Sequence, residues 1–106
     1  MTTNPILNED TRTLAFGSIS DSYANLGTAF ANQAWRVIIN NDTDELIIFT
    51  KDSGSTEWLR LPKTTSVSLD YGDTDALSVG TQVQIKHVTG SAPTEGEVNL
   101  SLEYRK

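Results

Sequence analysis

Apolar residues in this chain come in short runs that alternate with polar positions. Turns rich in Gly, Asn, Asp and Ser separate the runs at spacings of about 8 to 12 residues. The densest stretch, 35–61, reads WRVIINNDTDELIIFTKDSGSTEWLRL. Residues 35–40 predict a strand whose successive Val37, Ile38 and Ile39 require burial on both faces or a central place in a sheet. Residues 41–44 form a turn, because short Asx side chains bond their own backbone and tolerate left-handed geometry. Residues 45–51 predict a strand paired antiparallel with the preceding one as a hairpin. A second turn at 52–55 uses Gly54 for its positive φ. The segment 57–61 then alternates, with Trp58 and Arg60 on one face and Leu59 and Leu61 on the other, until Pro62 stops it.

The flanking segments repeat the pattern. A strand is expected at 13–19 with Leu14, Phe16 and Ser18 on one face. Ser20 or Asp21 is placed to cap a single helical turn that carries Tyr23 and Leu26 inward and ends at Gly27, with Phe30 anchoring the connection after it. Residues 66–71 put Val67, Leu69 and Tyr71 together. Residues 81–88 put Val83 and Ile85 inward, with Gln82, Gln84 and Lys86 outward. Residues 97–104 line up Val98, Leu100, Leu102 and Tyr104. No segment sustains a helical period. The expected fold is all-β, a single antiparallel β-sandwich, jelly-roll-like with an immunoglobulin-like arrangement as the alternative. The Cys and Trp marks of true immunoglobulin domains are absent. Residues 1–11 read as an extended N-terminal arm and 12–106 as the sandwich domain. In the arm, the apolar Pro5, Ile6 and Leu7 stand alone in a polar tail, either frayed or docked on a neighbouring subunit.

Composition narrows the function. The 106 residues are 37% hydrophobic, enough for one thin core. A net charge of −6 and the scattering of Lys and Arg remove the basic patch that nucleic acid or an anionic membrane surface requires. The chain has no cysteine, hence no disulfide framework, thiolate nucleophile or Cys-based zinc site. Without a signal-peptide pattern or a long apolar run it is expected to be soluble and made in a cytoplasm.

No motif supplies a catalytic centre. His87 is the single histidine, at a strand end, with no partner nucleophile in any motif; it reads as a rim residue, with a titrating contact between subunits as the sharper alternative. Asp70, Asp73 and Asp75 are the best metal candidates, but their spacing does not match a calcium loop. Asp42, Asp44 and Glu45 form a similar cluster, and both read as solvated acidic turns. No catalytic residue, cofactor or metal site is therefore assigned. Of the two tryptophans, Trp35 is assigned to the core, while Trp58 is open between core and partner contact. The candidate partner-contact residues are Pro5, Ile6, Leu7 and Trp58.

Four elements carry a family resemblance: F-G-S-I-S-x-S-Y at 16–23, N-x-T-D at 41–44, D-S-G-S…W-L-R-L-P at 52–62, and G-T-x-x-x-I-K…P-T-x-G within 80–96. In these the chain resembles small virion structural proteins of short-tailed bacteriophages, over about residues 14 to 104. It departs from them at 52–55, where the turn holds one extra residue. The resemblance implies a non-enzymatic role in the particle, foremost a capsid decoration (cement) protein that bridges major capsid subunits. A head–tail connector or tail component is the alternative. It further implies the major capsid protein or other virion proteins as partners, a homo-oligomer, and a place on the capsid surface after assembly in the bacterial host cytoplasm. A carbohydrate- or receptor-binding module using Trp58 and Tyr71 is the reading from another class.

Overall fold

The computed structural model describes residues 6–72 and 77–105. Its strands are β1 (Ile6–Asn8), β2 (Arg12–Ala15), β3 (Ala24–Asn25), β4 (Arg36–Asn41), β5 (Ile47–Thr50), β6 (Leu59–Leu61), β7 (Thr65–Asp70), β8 (Gln84–His87) and β9 (Glu97–Arg105). They form two antiparallel sheets. In one the order is β1-β9-β4-β7, with β2 also paired to β9; in the other it is β3-β8-β5-β6. The chain is thus wound as four nested pairs, β2·β9, β3·β8, β4·β7 and β5·β6, assigned alternately to the two sheets. That is a jelly-roll order, the expected arrangement rather than the immunoglobulin-like one. Among the described residues no helix is long and apolar enough to cross a membrane.

Alternation builds the core. In β9, Val98, Leu100 and Leu102 are fully buried while the residues between them are not. They meet Val37 and Ile39 of β4 from their own sheet, and Ile47, Phe49, Leu61, Val83 and Ile85 from the other, in one cluster. Leu26, Phe30, Ala34 and Leu77 close the cluster from the connections.

Three local expectations give way to this order. The strands on either side of 41–44 are not a hairpin, because β4 and β5 lie in different sheets. The reason is Asn41. It is fully buried, and its Nδ2 donates to the carbonyls of Glu45 (2.9 Å), Leu61 (3.0 Å) and Pro62 (3.0 Å). Its Oδ1 accepts from the N–H (3.0 Å) and Oγ1 (2.7 Å) of Thr43. One amide group thereby satisfies the backbone of a corner that carries the chain from one sheet to the other.

The helical turn expected after Ser20 is absent too. Residues 20–34 instead pass through a series of bends beside 77–87, joined to it by His87 N–H to Ser20 O, Leu26 N–H to Val83 O, Phe30 N–H to Thr81 O and Ala34 N–H to Leu77 O. Leu26 and Phe30 are anchors of a laced connection, and their backbone groups bond across it rather than along it. The strand expected at 13–19 ends at Ala15, and Phe16–Ser18 forms one 3-10 turn.

Of the arm 1–11, residues 6–8 form β1, paired with the last residues of β9. Behind it Arg12 is buried. Its guanidinium bonds Glu9 Oε1 (2.5 Å), Thr28 O (2.7 Å) and Ala29 O (3.2 Å) and lies 5.1 Å from the ring centre of Phe30. Burial pushes the Glu9 carboxyl up, but Arg12, Asn32 and the Ala31 N–H together hold it below its ordinary value. Gly27, at φ +69°, is required here because a Cβ would lie 2.6 Å from Arg12 Cγ.

Candidate interaction surface

The outward face of the five-stranded sheet is built from the residues that alternate with the core. On β4 these are Arg36, Ile38 and Asn40. Ile38 stands directly between Ser68 of β7 and Ser101 of β9; Asn40 stands between Ser66 and Asn99, and Asn99 faces Thr13 of β2. Ser66 Oγ donates to Asn40 Oδ1 (2.7 Å) and Thr13 Oγ1 donates to Asn99 Oδ1 (2.7 Å), while Thr11 Oγ1 and Ser101 Oγ lie 3.2 Å apart. Short, internally bonded side chains thus cover most of the face, and Ile38 remains 38% exposed at its centre. Charge is kept to the ends: at one, Arg36 bridges Asp70 (2.5 Å) and Glu103 (3.5 Å), and at the other stands exposed Glu97. The hydrogen bond from Arg36 to Asp70 raises the Arg36 pKa further above its already high ordinary value.

The outward face of the other sheet is closed. Ile48, the matching isoleucine on central strand β5, lies between Arg60 and Lys86 and is 6% exposed. Long stems covering an apolar neighbour explain the difference. Lys86 Nζ sits 4.6 Å from the ring centre of Tyr23, and Arg60 Nε bonds Glu57 at 2.9 Å.

Each end of the five-stranded sheet carries a depression. One is an open hollow of about 580 Å³ lined by Asp42, Thr43, Asp44, Lys63, Thr64, Glu95 and Gly96. Its Asp44 carboxylate is already engaged, accepting from Thr94 Oγ1 (2.5 Å) and the Thr94 N–H (2.8 Å), and these bonds hold it below the ordinary carboxylate value. The other is a notch formed by Gln33, Trp35, Gly72 and Arg105. Here the Trp35 ring has the guanidinium of Arg105 at 4.5 Å and that of Arg36 at 5.3 Å.

The residues singled out from the sequence do not converge on one site. Pro5 lies outside the described residues, as do Asp73 and Asp75. Ile6 (47% exposed) and half-buried Leu7 are split between the two faces of the edge strand β1, and Leu7 pairs with Tyr104 of its own chain. Trp58 and Tyr71 are half-buried against the core cluster, whereas Trp35 is outside that cluster and lines the notch. The expected placement of Trp35 in the core is therefore reversed: Trp58 supports the core and Trp35 faces the surface. Asp70 is spent on Arg36, and no group of three or more His, Asp or Glu among the described residues is placed to hold a metal. His87 is the expected rim histidine, buried at the end of β8 with Nδ1 2.7 Å from Val88 O. Ile38 was not legible as a surface residue, since the sequence does not show which residues flank it across the sheet.

No family model matches the chain, and no curated protein matches it. Among solved structures, the chain is similar to a protein of the Bacillus endospore appendages, which form a family of disulfide-linked pili. The TM-score is 0.54 and the identity 14%, covering 98% of this chain and 91% of that one. At that identity the likeness extends to the fold.

Proposed function

We propose that this chain is a non-enzymatic structural protein of a tailed-bacteriophage particle. In this reading it is a decoration subunit that lays the outward face of its five-stranded sheet on the major capsid protein. The observation that carries it is the open face around Ile38. A sheet surface with an apolar centre, satisfied short polar side chains around it and charge only toward its ends can be dehydrated at little cost. The buried polar side chains Arg12, Asn41, Thr43, Thr50 and His87 serve the fold, and among the described residues each buried side-chain polar atom has a hydrogen-bond partner. The motifs at 16–23, 41–44, 52–62 and 80–96 supply the phage resemblance. The charge of −6 keeps such a subunit off packaged DNA. Modest affinity per site suffices when the site repeats over a shell.

Quantifying this chain against the major capsid protein in purified particles tests the proposal. Copies on the order of hundreds per particle support decoration; about a dozen point instead to a connector ring; absence from the particle removes the virion reading.

The fold likeness to the appendage protein favours a second reading, a subunit of an extracellular fibre. Because this sequence has no cysteine, such a fibre would be held without disulfides. Electron microscopy of the concentrated protein would show filaments in that case and none under the first reading.

A further inference from the structure

We infer that β7 is a self-association edge, through which two copies of this chain join their five-stranded sheets into one. The inference deepens the structural role proposed above by naming a second copy as a partner, and it rests on the backbone edge of β7 beside the face around Ile38.

Four sheet edges exist among the described strands. In the four-stranded sheet they are β3, two residues long, and β6, three residues long with Arg60 on it. Opposite β7, the edge of the five-stranded sheet is broken into β1 and β2. Short, charged or interrupted edges resist pairing with other chains. β7 has none of these protections. It runs for six residues, Thr-Ser-Val-Ser-Leu-Asp, with no Pro or Lys, and its one charge, Asp70, is terminal and held by Arg36.

The backbone of β7 is also oriented for pairing. Asp42 N–H donates to Glu97 O, on the β9 side of β4, and Glu9 N–H donates to Leu102 O, on the far side of β9. Peptide groups of Arg36, Ile38 and Asn40 therefore turn toward β9, and those of Val37 and Ile39 turn toward β7, where they meet Leu69 and Val67. By the same alternation the peptide groups of Ser66, Ser68 and Asp70 point away from the sheet, and no described strand meets them.

A strand added there must place apolar residues on the core side and polar residues outside while running in reverse. β7 itself meets that demand. Paired about a twofold axis through Ser68 and perpendicular to the sheet, Val67 lies opposite Leu69 of the second copy, and Ser66 lies opposite its Asp70. No charge meets its like. The axis keeps both Ile38 faces on the same side, so the pair presents a doubled docking face. A single strand pair buries less than a stable dimer needs, and each copy carries −6, so association in solution is weak and strengthens with salt.

Sedimentation equilibrium of the full chain, from about 10 μM to about 1 mM at low and moderate NaCl, tests this. The wild type is expected to dimerise with concentration, more so in salt. Ser68→Lys should weaken the dimer at least tenfold, since two ammonium groups would meet at the axis. Ser66→Asp, which would set a carboxylate opposite Asp70 of the second copy, serves if Ser68→Lys loses the far-UV spectrum of the fold. Ile38→Lys should leave the dimer unchanged while removing particle binding, which separates this contact from the capsid face. A wild type that stays monomeric throughout overturns the inference. So does Ser68→Lys or Ser66→Asp dimerising like the wild type, or Ile38→Lys abolishing the dimer.

Discussion

Ile38 and Ile48 occupy equivalent places, outward on the central strands of two packed sheets, yet one is 38% exposed and the other 6%. Neither strand position nor residue type separates them. The neighbours across the ladder do: Ser68 and Ser101 are too short to cover Ile38, whereas Arg60 and Lys86 lay their stems beside Ile48. One sheet finishes its own surface, and the other leaves its centre open.

That contrast presupposes that β4 and β5 belong to different sheets, and the largest expected effect comes from attacking the corner that separates them. Asn41→Asp replaces a donor of three backbone bonds by a buried carboxylate and should cost about 4 kcal/mol or more, read as a lowered urea midpoint. Next, Ile48→Lys should cost about 3 kcal/mol, because it places an ammonium where the residue is nearly sealed. Converting the closed face into a copy of the open one, with Arg60→Ser and Lys86→Ser together, should cost only about 1 kcal/mol and raise binding of a hydrophobic dye.

A smaller effect distinguishes the turns. Asp52, exposed in the β5–β6 turn, accepts from Thr56 Oγ1 (2.5 Å), the Thr56 N–H (3.0 Å) and Thr50 Oγ1 (2.8 Å), which lower its pKa to about 2. Its folded-state value lies below its unfolded value of 3.8, so its contribution is complete above about pH 4 and fades as pH falls toward 2. Asp52→Asn should flatten that part of the stability–pH curve in acid titrations of the unfolding midpoint. Ile38→Lys closes the series, changing stability by less than about 0.5 kcal/mol in the same urea titrations.

Much of the frame was legible from alternation. Val98, Leu100 and Leu102, or Val83 and Ile85, announce their faces at a period of two, and an all-β sandwich with one core follows. What alternation does not encode is which sheet receives the next strand. The turns at 41–44 and 52–55 look alike in composition, but only the second closes a hairpin, because Asn41 turns inward and Asp52 outward. The tryptophans fail for a related reason. Trp35 precedes an apolar run and reads as core, yet the run begins after it, and Arg36 and Arg105 hold its ring at the surface. The open face itself needs cross-strand register, which joins β4 to residues some thirty to sixty positions away and leaves no local trace.

A cryo-electron microscopy map of purified particles carrying this chain would decide whether the open face is a capsid contact. The chain should lie on the capsid exterior, with the five-stranded sheet flat on the major capsid protein and Ile38 buried between them. Ile38 facing solvent, or the chain seated away from the capsid surface, would contradict the decoration role.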